Sequence, residues 1–222
     1  MAPIELRGIE KSLGGRRVLS GVSLAVEAGQ AACVVGRSGA GKSVLTRIAI
    51  GLLPPDRGEV FLLGRRIDGL ARRELRAARR GVGLVTQGAA LLGWLSLREN
   101  VALPLGDGFS RRAALERADA ALAEVGAGAE GARRPAEVSA GTRQRAAVAR
   151  ALALAPRAVL YDEPTTGLDP AASRQIDALI RRSADRGAAV LVVTHDPILV
   201  RRVADRVLEL RDGVLHDWPV VV

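Results

Sequence analysis

Eight residues, Gly36-Arg37-Ser38-Gly39-Ala40-Gly41-Lys42-Ser43, carry the spacing G-x-x-x-x-G-K-[ST]. Glycines at such positions let backbone N–H groups turn inward around phosphate oxygens, and a helix N-terminus behind them adds its dipole. Lys42 is positioned by this pattern to reach β- and γ-phosphates, and Ser43 to ligate Mg²⁺. The apolar run 31–35 before the loop reads as a buried strand, and 44–50 after it reads as a helix. This strand–loop–helix context separates a phosphate loop from a Gly-rich turn with an incidental Lys-Ser pair.

Three more polar positions end apolar runs. Asp162 and Glu163 follow 158–161; Asp162 would hold Mg²⁺, directly or through water. Glu163 would face an attacking water, as general base or to orient and polarise it. His195 follows 188–194, where a γ-phosphate could be contacted, whereas His216 reads as structural or exposed. Gln87 follows 82–86; its amide oxygen can touch Mg²⁺ or the catalytic water, a reading that rests on its company. Finally, Ser139-Ala140-Gly141-Thr142 opens a helix with Ser139 as N-cap, a second anion-binding terminus. The phosphate loop needs no second clamp, which suggests that this one serves another subunit's nucleotide.

The elements that must position these groups alternate. Strands are expected over 4–9, 18–27, 31–35, 59–63, 82–86, 158–161, 188–193 and 206–210. Helices are expected over 44–50, 70–80, 110–125, 139–153, 170–184 and 197–204. Such alternation implies an α/β fold, a mainly parallel sheet with helices on both faces. Ligands of these sheets bind at the carboxyl ends of strands, where all four polar sites fall. From 87 to 138 strand-like alternation fades. The chain therefore divides into a core of 1–86 and 139–222 and an inserted helical unit of 87–138.

Apolar residues make up 48 % of the 222, enough for a core, and no run approaches the ~20 needed for a membrane span. The first residues lack a signal pattern, so a cytosolic protein is expected. The single cysteine, Cys33, excludes an internal disulfide and reads as a small buried hydrophobe. A net charge of +9 invites a nucleic-acid or anionic-membrane reading. However, the only lysines are Lys11 and Lys42, the arginines are dispersed, and the cluster Arg72, Arg73, Arg76, Arg79 and Arg80 suits a solvated helix face. Aromatics, at 2 %, leave few platforms for base stacking, so no nucleic-acid partner is expected.

Taken in order, the phosphate loop, Gln87, Ser139-Ala140-Gly141-Thr142, residues 159–163, Gly167-Leu168-Asp169 and His195 resemble the ATP-binding subunit of an ABC transporter. The resemblance covers 4–213. It implies a P-loop NTPase (RecA-like) core, with N-terminal antiparallel β elements and an inserted helical subdomain. It also implies ATP and Mg²⁺ as cofactors and head-to-tail pairing with a second ATPase subunit, expected to be a second copy. Ser139 and Gly141 would then meet the partner's γ-phosphate, with Ala140 between them in the same nucleotide-binding segment and Asp169 in the loop linking the two sites. Residues 36–44, Leu13 and Val18 would form the nucleotide contacts. A membrane permease would dock on 87–103, where Trp94 suits that contact or ordinary packing equally, and the subunit would sit at the cytoplasmic face of the inner membrane.

A narrower likeness rests on Val44 and on Gln87-Gly88-Ala89-Ala90-Leu91, with 36–45, 50–56 and 160–170. These resemble the ATPase of the MCE/Mla-type phospholipid transport system, implying an MCE-domain protein in the periplasm as a further partner. The alternatives are an importer for an amino acid or metal, and a soluble non-transport ABC ATPase. Two departures stand out. Ala140 replaces a usual glycine, strained if φ there must be positive and favourable if the backbone is already helical; the second is expected. Leu13 stands where an aromatic often stacks on adenine, so weaker ATP affinity and looser base selectivity are expected.

Overall fold

The computed structural model describes residues 1–106 and 108–218. The chain opens with β1 (Ile4–Leu13) and β2 (Arg16–Val26), followed by β3 (Ala31–Val35) and α1 (Lys42–Ala49). Next come β4 (Arg57–Leu62), β5 (Arg65–Arg66), α2 (Arg72–Ala78) and β6 (Val82–Val85). Then follow α3 (Leu97–Ala102), α4 (Arg111–Glu124) and α5 (Ala140–Leu152). The remainder is β7 (Ala158–Asp162), α6 (Pro170–Asp185), β8 (Ala189–Thr194), α7 (Pro197–Val203), β9 (Arg206–Arg211) and β10 (Val214–Trp218).

Two sheets form. The first is antiparallel, in the order β2-β1-β4-β5; the second runs β10-β9-β3-β8-β7-β6. Every neighbour pair in the second sheet is parallel except β9 with β10. Its central strands are apolar up to their carboxyl ends, where Asp162 and Thr194 stand, because both faces are covered. Strict alternation divides their side chains between two cores. Val190 and Val192 of β8, with Cys33 and Tyr161, pack against helices α3 to α7. Ala189, Leu191 and Val193, with Val34 and Leu160, pack against α1 and the antiparallel sheet. Helices therefore cover one face as expected, while the other is shared between α1 and β1, β2 and β4.

Several expectations shift in detail. α3 was not legible from periodicity: it has six residues, begun by Ser96, whose hydroxyl accepts from Glu99 N while the Glu99 carboxylate accepts from Ser96 N. β10 is largely exposed at the sheet edge, so its sequence shows no apolar alternation. The α2 arginine cluster is not uniformly solvated. Arg79 turns inward and donates to the carbonyls of Ile50 (2.7 Å) and Gly51 (2.6 Å), capping the end of α1. Trp94 is 71 % exposed and takes no part in the core. No helix of the described residues is long and apolar enough to cross a membrane.

Candidate functional site

The phosphate loop joins β3 to α1, and its glycines have steric reasons of their own. A Cβ at Gly36 would stand 2.6 Å from the Leu210 carbonyl oxygen. At Gly41, where φ is 104°, it would stand 2.7 Å from Val18 Cγ1. Lys42 is nearly buried; its ammonium donates to the carbonyls of Gly36 (2.8 Å) and Arg37 (3.3 Å). The same Nζ lies 3.3 Å from Glu163 Oε1.

Ser43 Oγ donates to Asp162 Oδ1 at 3.0 Å, linking the first turn of α1 to the end of β7. Burial pushes the Asp162 carboxyl above its usual range, the Ser43 hydrogen bond offsets part of that shift, and neighbouring Glu163 adds to it. A hydroxyl and a carboxylate in contact are hard oxygen donors, and they fit Mg²⁺.

Glu163 has φ 49°, an uncommon conformation for a non-glycine residue. Its N–H donates to Val193 O (2.9 Å), so β7 and β8 fix the turn. Glu163 Oε2 accepts from the His195 N–H (3.3 Å) and the Thr194 hydroxyl (3.3 Å), and lies 2.8 Å from His195 Nδ1. An ionised carboxylate can only accept, so this ring contact is a hydrogen bond in the tautomer that carries its proton on Nδ1. One carboxylate oxygen is thus held by β8 and the other faces Lys42.

A cavity of about 730 Å³ is lined by Leu13, Val18, Arg37–Gly39, Gly41–Val44, Gln87, Glu163 and His195. This is within the size range of small-molecule sites. Gln87 is exposed. Leu13 is 43 % exposed, and among the described residues no aromatic lines this cavity. Ser139, Ala140, Gly141 and Asp169 do not line it. Ser139 caps α5, its hydroxyl accepting from Thr142 N at 3.1 Å, and Ala140 is the first helical residue. Gly141 is buried, and a Cβ there would stand 2.9 Å from Ala172 Cβ, so α5 and α6 touch at this point. Asp169 caps α6, accepting from Ala171 N and Ala172 N (both 2.9 Å); those bonds hold its carboxyl below the usual range.

Sequence reasoning did not identify Thr194, the one hydroxyl in an otherwise apolar strand directly before His195. Nor did it identify a second cavity of about 540 Å³ beside the loop, to which Arg16, Arg17, Arg37 and Arg211 contribute. The arginines of β2 and β9 come together only through tertiary packing, so no local pattern announces them.

Comparison with known proteins bears on the family and the fold. A family model described as ABC transporter matches residues 19–166. The methionine import ATP-binding protein MetN 1 of Rhodococcus jostii is 42 % identical over 98 % of this chain and 67 % of its own length. The Brucella abortus MetN is 39 % identical over 97 % of this chain, which spans only 59 % of that relative. The aliphatic sulfonates import ATP-binding protein SsuB 1 of Rhizobium johnstonii is 42 % identical, covering 99 % of this chain and 78 % of its own. Among solved structures, the dimeric post-hydrolysis state of the ATP-binding cassette MJ0796, bound to ADP and Pi, is 31 % identical. It superposes with a TM-score of 0.88 over 96 % of both chains. A second dimeric structure of the same bacterial ABC transporter cassette has a TM-score of 0.89 at 32 % identity. The chain therefore belongs to the ABC transporter family, as an ATP-binding ATPase subunit.

Proposed function

We propose that this chain powers an importer for a small solute, pairing with a second ATPase subunit around two nucleotides and acting on a membrane permease. The observation that carries the hydrolytic part is the convergence of Lys42, Ser43, Glu163 and His195 on one cavity, with Asp162 hydrogen-bonded to Ser43 behind them. Residues 36–44 cradle the phosphates, and Leu13 and Val18 meet the base. Ser43 and Asp162 would hold Mg²⁺, with Gln87 also lining the cavity, and the metal would supply charge neutralisation for the phosphate group. Glu163 orients and polarises the water and accepts its proton, while His195, steadied through Nδ1, presents Nε2 toward the γ-phosphate. Ser139, Ala140 and Gly141 serve the partner's nucleotide, and Asp169 lies between the sites. The dimeric state of the similar cassette in both of its structures supports this pairing, and the helical unit of 87–138 is the proposed side for the permease at the cytoplasmic membrane face.

The names of the relatives, methionine and aliphatic sulfonates import ATP-binding proteins, support a small-solute importer better than the phospholipid reading drawn from Val44 and Gln87–Leu91. Two measurements test the proposal. Lys42→Ala should lose ATP binding, whereas Glu163→Gln should keep it within a few-fold and lose at least 100-fold in turnover; equal turnover for wild type and Glu163→Gln refutes the role of Glu163. Purified with its permease and reconstituted, the complex should raise its ATPase rate with an amino acid or alkyl sulfonate. Stimulation by phospholipid with an MCE-domain protein, and not by small solutes, restores the phospholipid reading.

A further inference from the structure

Gln87 leads into a backbone segment in an uncommon conformation. Ala89 and Ala90 both have positive φ, 67° and 45°. An alanine Cβ is strained in this region, and here two occur in succession. Local bonds do little to impose the geometry: Ala89 N donates to Thr86 O at 3.2 Å and Ala90 N to Gly88 O at 2.8 Å.

The stronger hold comes from α5. Arg150 Nη1 donates to Ala90 O at 2.8 Å and Nη2 to Ala89 O at 3.0 Å. One rigid guanidinium thus spans two successive carbonyls with charge-assisted bonds, a geometry that a lysine point charge does not reproduce. Partial burial of Arg150 strengthens those bonds. Farther along, buried Asn100 of α3 accepts from Leu92 N (2.7 Å) and donates to Leu92 O (3.0 Å) and Ser96 O (2.9 Å). The segment after Gln87 is therefore tied to helices at two points. Only Gly88 separates Gln87 from the first tie, and a Cβ at Gly88 would meet nothing within 4 Å.

We infer that Arg150 is a positioning residue for Gln87: its fork on the Ala89 and Ala90 carbonyls sets where the Gln87 amide stands at the nucleotide cavity and links it to the helix capped by Ser139. The inference rests on the ATPase reading above and adds to it a physical link between the two nucleotide-facing surfaces of one subunit. α5 is a single helix from Ala140 to Leu152, so a displacement at its Ser139 end is delivered near its other end, by Arg150, to the loop beside Gln87.

The test measures kcat, KM for ATP and melting temperature on the full chain. Arg150→Lys should lower kcat about tenfold with KM within twofold, and Gln87→Ala should do the same. The double variant should be no slower than Gln87→Ala alone, because both changes remove one function. Ala89→Gly with Ala90→Gly, added to Arg150→Lys, should return kcat to within threefold of wild type, since glycine holds positive φ unaided. A purely structural arginine predicts losses that multiply with Gln87→Ala and no rescue by glycine; either result overturns the inference, as does an unchanged kcat in Arg150→Lys. Should Arg150→Lys not accumulate folded, the triple variant decides: kcat within threefold of wild type supports the inference and a tenfold loss overturns it. Turnover that depends on Lys42 but not on Arg150 removes this inference alone, whereas no turnover by wild type removes the ATPase reading with it.

Discussion

Asp162 shows how a single group trades stability for chemistry. Burial raises its carboxyl pKa, so the folded chain binds that proton more tightly than the unfolded chain. This contribution favours folding in acid and is lost as pH rises from the ordinary aspartate range through the raised value; at neutral pH the charge is carried at a cost. Asp162→Asn keeps an acceptor for Ser43 and removes the charge. We expect a higher melting temperature at neutral pH, a smaller difference from wild type near pH 4, and loss of Mg²⁺-dependent nucleotide binding. Thermal melts at the two pH values check it; a neutral-pH melting temperature at or below wild type contradicts it. Leu13 makes a second case. An aromatic platform in a nucleic-acid site is worth roughly 1–3 kcal/mol, or about 5- to 150-fold in affinity. Leu13→Tyr should therefore tighten ATP binding by a factor in that range and increase the preference for ATP over GTP, read from paired titrations. Unchanged affinities would mean that Leu13 does not meet the base.

Among the elements, the contact of α5 with α6 gives the clearest expectation. A methyl on Gly141 would meet the Ala172 methyl at 2.9 Å, and neither can rotate away. Gly141→Ala gains helix propensity but forces the helices apart, a net loss of about 1–2 kcal/mol, or roughly 2–8 °C in melting temperature. Adding Ala172→Gly should recover part of the loss, whereas a melt unaffected by either change would mean that this approach is not tight. The central strands were legible because strands buried on both faces are uninterrupted apolar runs, as in β7 and β8. α3 was not, being too short for a period to declare itself, although Ser96-Leu97-Arg98-Glu99 carried its capping signature. Of the cavity-lining polar residues, Lys42 and Ser43 were legible from the loop's glycine spacing, and Gln87, Glu163 and His195 because they stand where apolar runs end. Thr194 was overlooked because its hydroxyl belongs to the strand rather than to the loop after it. The inward turn of Arg79 onto the end of α1 depends on tertiary contact and left no mark in spacing.

For the whole molecule, the position of the capped starts of α5 and α6 outside the cavity bears on assembly. If Ser139 and Asp169 serve a second copy's nucleotide, ATP should promote pairing, and slow hydrolysis should preserve it. Glu163→Gln with MgATP should therefore elute at twice the mass of the nucleotide-free protein, and Ser139→Ala in that background should shift it back toward the monomer. Size-exclusion chromatography with light scattering reads both; a Glu163→Gln chain that stays monomeric at saturating MgATP argues against a shared site.

Cys33 is fully buried within β3 between the two cores, and burial pushes its thiol up to about 12. It is also the only sulfhydryl in the chain. A maleimide probe should leave the native protein untouched and react only when the central sheet opens. The rate of modification then serves as a built-in clock for global opening, and a cysteine placed elsewhere can carry a fluorophore without background. The opening of the sheet can be timed with no substitution at all.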